Sequence, residues 1–285
     1  MTRHHSTTSD LQQPIRHAAA HPWIEKLARF GFAAKGFVYF VVGLLALQAA
    51  FGTGGRTTDT NGALTTIVSQ PFGKGLLALV AIGLLGYALW RIVQTLFDPE
   101  HQGEKTTPKH IAQRLGYGFS AIAYLGLALT SVKLILGSAT KNGDSTPGMT
   151  AQLMAQPFGR WLVGIVGLVA IGVGLSYLYQ AYKADFQRHL NLHQMSPTER
   201  RWTKRLGQFG IGARGLVFAI IGIFLILAAL RANANEARGV GGALAALAAQ
   251  PFGPWLLGTV ALGFIAYSFY SWLEARYRRI EPPSQ

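Results

Sequence analysis

Tyr87, Trp90, Arg91 and Gln94 stand at i, i+3, i+4 and i+7, the spacing that places side chains on one face of a helix. The same register recurs as Val173, Ser176, Tyr177 and Gln180, and again as Tyr267, Tyr270, Ser271 and Glu274. Lys35, Ser120 and Arg214 lie inside apolar runs at a similar depth, ~6 to 8 Å in at the helical rise. Polar groups in apolar runs have two outlets. They snorkel to the interface or join an aromatic belt, which is the expected arrangement here, or they form an internal layer in which Lys35 or Arg214 pairs with Glu274. Tyr, Arg and the single Glu274 could act together as an enzyme only if clustered; no enzyme is expected and no catalytic residue is assigned.

Other chemistry is thinly represented. His189 and His193 have helical i, i+4 spacing in "RHLNLH", but the Glu of a zinc-binding HExxH and a third ligand are missing. The segment reads better as a basic stretch against anionic headgroups. All eight histidines lie between or outside the apolar runs, so no pair of axial haem ligands is available to a membrane cytochrome. Acidic residues are missing from the middle of every apolar run, which disfavours an ion-coupled transporter. The chain has no cysteine, and no phosphate-binding loop, dinucleotide fingerprint or nucleophile elbow occurs. No cofactor and no metal are expected.

A different motif occurs three times: Gln70-Pro71-Phe72-Gly73, Gln156-Pro157-Phe158-Gly159 and Gln250-Pro251-Phe252-Gly253. Pro biases the preceding Gln away from the helical region and suits the first turn of a new helix. QPFG therefore reads as the end of a short amphipathic helix and the start of a long one. Phe would anchor at the outer interface and Gln would cap exposed backbone groups; the functional alternative is a ring of three glutamines around an outer vestibule.

The elements that must position these residues are membrane spans. Half of the 285 residues are hydrophobic and 13% are charged, about half the charge of a typical soluble domain. Apolar stretches of bilayer-crossing length run over 31–51, 75–97, 115–137, 161–182, 209–230 and 255–273, with no alternating strands of an outer-membrane barrel. Most Lys and Arg, among them Arg29, Lys105, Arg114, Arg188, Arg201 and Arg276, fall on one side of these spans. By the positive-inside rule both termini are cytoplasmic and QPFG is outside. The net charge of +14 then reflects topology and contact with anionic headgroups; no nucleic acid is expected, and no protein partner can be assigned.

"RFGFAAKGFVYFVVG", "RLGYGFSAIAYLGLA" and "QFGIGARGLVFAIIG" each open a unit of two spans with QPFG before the second. Small residues recur at Ala33, Gly36 and Gly43, at Gly118, Ala121 and Ala128, and at Gly212, Gly215 and Gly222, a face suited to close helix contact. An even number of spans per unit makes the copies parallel. These features, with "GAL...QPFG" and "GLLGYALWRIVQ", resemble a bacterial membrane family known as domain of unknown function 1206. The resemblance implies triplicated two-span units and a membrane location, and implies no activity. The second copy departs from the pattern, with Ser120 where the others have Lys35 or Arg214, and Val173 where they have Tyr87 or Tyr267.

The expected fold is an all-α integral membrane protein of six transmembrane helices, arranged as three parallel two-helix repeats with pseudo-threefold symmetry about the membrane normal. The units are 27–98, 112–184 and 206–276, flanked by a disordered cytoplasmic tail, 1–26, and a second tail, 277–285. The expected role is that of a non-enzymatic structural or interaction bundle of the bacterial plasma membrane. The alternative is transport or binding of a lipid or small hydrophobic solute along the pseudo-axis or in a crevice between repeats.

Overall fold

A computed structural model describes residues 22–97, 107–138 and 146–280. The tail expected at 1–26 lies outside the described residues as far as residue 21, as does 281–285. Six long helices carry the fold: α1 (Pro22–Ala50), α3 (Gly73–Phe97), α4 (Pro108–Ile135), α6 (Gly159–Lys183), α7 (Pro197–Arg231) and α9 (Gly253–Tyr277). All six are long and apolar enough to cross a membrane, as expected of a multi-pass membrane protein. The short helices α2 (Thr60–Val68), α5 (Thr146–Met154) and α8 (Val240–Ala248) each precede a QPFG.

Local chemistry sets the helix starts. Asp59 caps α2 through the Gly62 amide, Thr107 caps α4 with Pro108 next, and Ser196 and Glu199 form a capping box ahead of α7. Each side-chain oxygen satisfies an amide that the first helical turn leaves orphaned. The 35 residues of α7 span about 52 Å at the helical rise, well beyond the hydrocarbon core of about 30 Å. Its charged first turns therefore extend past the apolar run that begins at 209.

Two expected boundaries move. The N-terminal tail gives way to helix at Pro22, before residue 26. At the other end Tyr277 and Arg278 are buried, and Arg278 pairs in an antiparallel bridge with Leu190. Asn191 N donates to Tyr277 O at 2.8 Å and Arg279 N to His189 O at 3.0 Å, so the chain after α9 docks on the α6–α7 connection instead of leaving as a tail at 277.

The long helices pack in a repeating order. The second span of each unit lies against the first span of the next: α3 on α4, α6 on α7, and α9 back onto α1. Two of these interfaces match residue for residue. An added Cβ on Gly36 would meet Trp272 and one on Gly43 would meet Ile265, while the corresponding Gly215 and Gly222 meet Leu178 and Ile171. Within units, α1 packs on α3 and α7 packs on α9, but the corresponding α4 and α6 make no comparable contact. The glycines record the difference. A Cβ on Gly31 would sit 2.5 Å from Tyr87 N, and one on Gly210 2.5 Å from Tyr267 N, whereas Gly116, at the same place in the second unit, faces open space. A seam therefore runs between α4 and α6.

QPFG forms a tight turn whose parts differ from the expected ones. Pro71 precedes the helix instead of starting it, since α3, α6 and α9 begin at the glycine. In each copy the Gly amide donates to the Gln carbonyl, at 2.8, 2.9 and 2.8 Å, and Phe72, Phe158 and Phe252 adopt φ of 60, 60 and 61°. This is the left-handed conformation of the third residue of a type II turn. Gly fills the last position because a Cβ on Gly73 would lie 2.2 Å from Ile67 O, one on Gly159 2.0 Å from Leu153 O, and one on Gly253 1.9 Å from Ala248 O. The short helix and the span meet backbone to backbone there.

Candidate functional site

The polar positions of the spans come together inside the helix assembly. Lys35 is 2% exposed, and its Nζ lies 3.2 Å from Glu274 Oε2 and 4.8, 4.9 and 5.2 Å from the ring centroids of Phe32, Tyr87 and Tyr267. Glu274, also buried, accepts from Arg278 Nη1 at 2.5 Å, and the Arg278 guanidinium covers the Phe32 ring. The expectation that Lys35 snorkels is overturned. The Lys35 ammonium is turned inward and enclosed by neighbouring helices, where Glu274 and the rings replace lost hydration. Tyr87 and Trp90, buried likewise, belong to no interfacial belt.

Two further cations flank this pair. Arg91 Nε donates to Tyr87 Oη and its Nη1 to Gln94 Oε1, both at 2.9 Å, and its guanidinium stacks over Tyr117 of α4. Gln94 is fully buried. Arg214 Nη1 donates to Tyr267 Oη at 2.5 Å, with Cζ 4.4 Å from the Tyr267 centroid, 5.0 Å from Tyr177 and 5.1 Å from Tyr39. Its Nε is buried with no acceptor, and no carboxylate reaches it among the described residues. Gln180 stays apart, half-buried, with Nε2 donating to Ser176 Oγ on its own helix. Across the layer Lys35, Arg91, Arg214 and Arg278 face one described carboxylate, Glu274.

The helices holding this layer are pinned at the end where the described chain begins and ends. Arg29 donates to the carbonyls of Ala275, Arg276 and Arg278, at 3.0, 2.7 and 3.3 Å, satisfying carbonyls that the last turn of α9 leaves free. Trp272 Nε1 donates to Ala33 O at 3.1 Å. The α9–α1 interface thereby fixes Glu274 opposite Lys35.

A family model described as Domain of Unknown Function (DUF1206) matches residues 30–98, 115–184 and 209–278. The chain belongs to the DUF1206 family. It is similar to "Uncharacterized protein YxxB" of Bacillus subtilis (strain 168), 35% identical over 259 residues, covering 91% of this chain and 93% of that one. No solved structure matches. The three family matches coincide with the three DUF1206 units of the fold, and neither name carries an activity.

Several contributors to the layer of this DUF1206 chain were not placed in it from the sequence: Tyr39, Tyr117 and Tyr124, with Arg29 and Arg278 read only as charges flanking the spans. A signal for two of them existed. One turn after Lys35, Ser120 and Arg214 come Tyr39, Tyr124 and Phe218, an aromatic at i+4 in every copy. Tyr124 contacts Tyr87 with centroids 4.5 Å apart. Arg278 sits where composition reads as a tail, and only the docking of 277–280 brings it inward.

At the opposite end, Phe72, Phe158 and Phe252 are 95, 83 and 79% exposed. Gln250 Nε2 donates to Ala246 O at 3.3 Å, the backbone cap expected of all three. Among the described residues no hydrogen bond joins Gln70, Gln156 and Gln250. Beside Phe158 and Arg160 an apolar cleft of about 770 Å³ lies between α6 and α7; its Trp161, Ile165 and Leu168 project from the side of α6 opposite Tyr177 at 3.6 residues per turn, so it is separate from the polar layer.

Proposed function

We propose that this chain is a non-enzymatic binding protein of the bacterial plasma membrane, taking a lipid or small hydrophobic solute into the open seam within its second repeat, with both termini cytoplasmic. The observation that carries the reading is the seam between α4 and α6, where the contact that the other two repeats make within themselves is missing. Val169, Gly172 and Ser176 of α6 are exposed there, while their counterparts in the first unit, Gly83, Gly86 and Trp90, are buried. Tyr124 of α4 and Tyr177 of α6 are half-buried, Tyr124 against Tyr87 and Tyr177 against Arg214. A purely structural bundle gains nothing from leaving one of three equivalent crossings open, and a layer this rich in cations is costly to hold in a bilayer without a partner. The cytoplasmic placement rests on the excess of Lys and Arg on the side of the termini.

The test is retention of lipid. The protein, purified from nanodiscs of dioleoylphosphatidylcholine and dioleoylphosphatidylglycerol in equal parts, is expected to keep one lipid in native mass spectrometry under delipidating detergent. Val173→Trp, which fills the seam, is expected to lose it while keeping its melting temperature. Release of all lipid by the wild type, or equal retention by Val173→Trp, would leave the structural bundle as the better account.

A further inference from the structure

We infer that the α6–α7 interface holds the net-anionic headgroup of a membrane amphiphile, a phosphodiester or the carboxylate of a fatty acid, against Arg214. This deepens the proposed binding role and rests on it. The argument comes from comparing the chain with itself. The α9–α1 and α6–α7 interfaces are built from corresponding residues: Gly36 against Trp272 and Gly43 against Ile265 in one, Gly215 against Leu178 and Gly222 against Ile171 in the other. In that correspondence Arg214 takes the place of Lys35, and Gln180 takes the place of Glu274. In the first interface the lysine meets a carboxylate from within the chain, Glu274 at 3.2 Å, which Arg278 shares. The second keeps the cation and replaces its carboxylate with an amide that bonds along its own helix to Ser176.

Three observations point to an external anion as the missing partner. Arg214 Nε is buried without an acceptor, and an unmet charged donor away from water is among the costlier groups a fold can hold. The phenols around it are on three different helices, Tyr39 on α1, Tyr177 on α6 and Tyr267 on α9; each can donate to an oxyanion. The seam beside it belongs to the same unit that lost its tyrosine at Val173. An amphiphile suits the place better than a free ion, because Val169 of the same helix α6 is apolar and exposed, a surface on which an acyl chain can lie. The third copy of the arrangement, Gln94 and Ser120 at α3–α4, has neither charge; the nearby Arg91 is met by Tyr87 and Gln94.

The same self-comparison supplies the decisive variant. Gln180→Glu restores the carboxylate that Glu274 provides elsewhere, so it should neutralise Arg214 internally and expel the ligand without damaging the fold. Wild-type protein in mixed nanodiscs is expected to retain dioleoylphosphatidylglycerol over dioleoylphosphatidylcholine by about tenfold, the discrimination of one charge-assisted contact. Gln180→Glu and Arg214→Gln are both expected to bring the ratio to about one, with Gln180→Glu melting no lower than the wild type. Retention of both lipids without preference overturns the anionic assignment and leaves the binding role standing; loss of all lipid removes both. A preference unchanged in folded Gln180→Glu places the anion elsewhere and also overturns the inference. Displacement of the glycerophospholipid by 10 mM inorganic phosphate, about the level of a buffered assay, would make the ligand a free anion and overturn the amphiphile.

Discussion

Replacing Glu274 by Gln removes the one described carboxylate of the buried layer and leaves Lys35 and Arg278 facing each other. Gross attraction at an effective dielectric of about 20 is about 5 kcal/mol for a contact of 3.2 Å and about 7 kcal/mol for one of 2.5 Å. Most of that is offset, because the native carboxylate is itself desolvated at a cost of several kcal/mol. A net loss of about 3–5 kcal/mol is expected, the usual result of stranding a buried partner. That corresponds to a fall in melting temperature of about 6–20 °C. The assay is thermal unfolding in detergent followed by tryptophan fluorescence, with Lys35→Met combined with Glu274→Gln as the companion variant. Removing the stranded ammonium should recover about 2 kcal/mol of the loss. A Glu274→Gln protein within about 1 kcal/mol of the wild type, or a double variant worse than the single by the full cost of Lys35→Met, would show that the carboxylate is solvated and that the layer is not an interior one.

The remaining expectations concern the frame around the layer. Gly31→Ala and Gly210→Ala place a methyl 2.5 Å from the backbone of Tyr87 and Tyr267 and should each destabilise by about 1–3 kcal/mol, while Gly116→Ala, in open space, should be neutral or up to about 1 kcal/mol stabilising through helix propensity; equal losses at all three would mean the seam is closed in the membrane. Gly73→Ala drives a Cβ against Ile67 O and is expected to separate α2 from α3, read as faster proteolysis between Val68 and Leu76. A cysteine at exposed Ser138 should react with an impermeant maleimide from outside intact cells, and one at exposed Thr198 only after permeabilisation; the reverse would overturn the orientation.

Much of this architecture was legible without coordinates, for particular reasons. Span length and the scarcity of charge marked six membrane helices, since a bilayer crossing needs about 20 apolar residues whatever the fold. The repeated QPFG and the small-residue faces fixed three parallel units, because two spans per unit return the chain to the same side. Even the open seam left a trace at Val173, where the other copies keep a tyrosine against a glycine. What sequence could not decide was where the polar side chains point. Snorkelling and internal pairing use the same residues at the same spacing, and the choice depends on which neighbour faces each side chain. Lys35 is covered by Phe32, Tyr87 and Tyr267, from three different helices. The return of α9 onto α1 brings Glu274, 239 residues away in the chain, to meet it. Likewise only the packing of α6 on α7 reveals that Gln180 occupies the place of Glu274, leaving Arg214 without the carboxylate that its counterpart has.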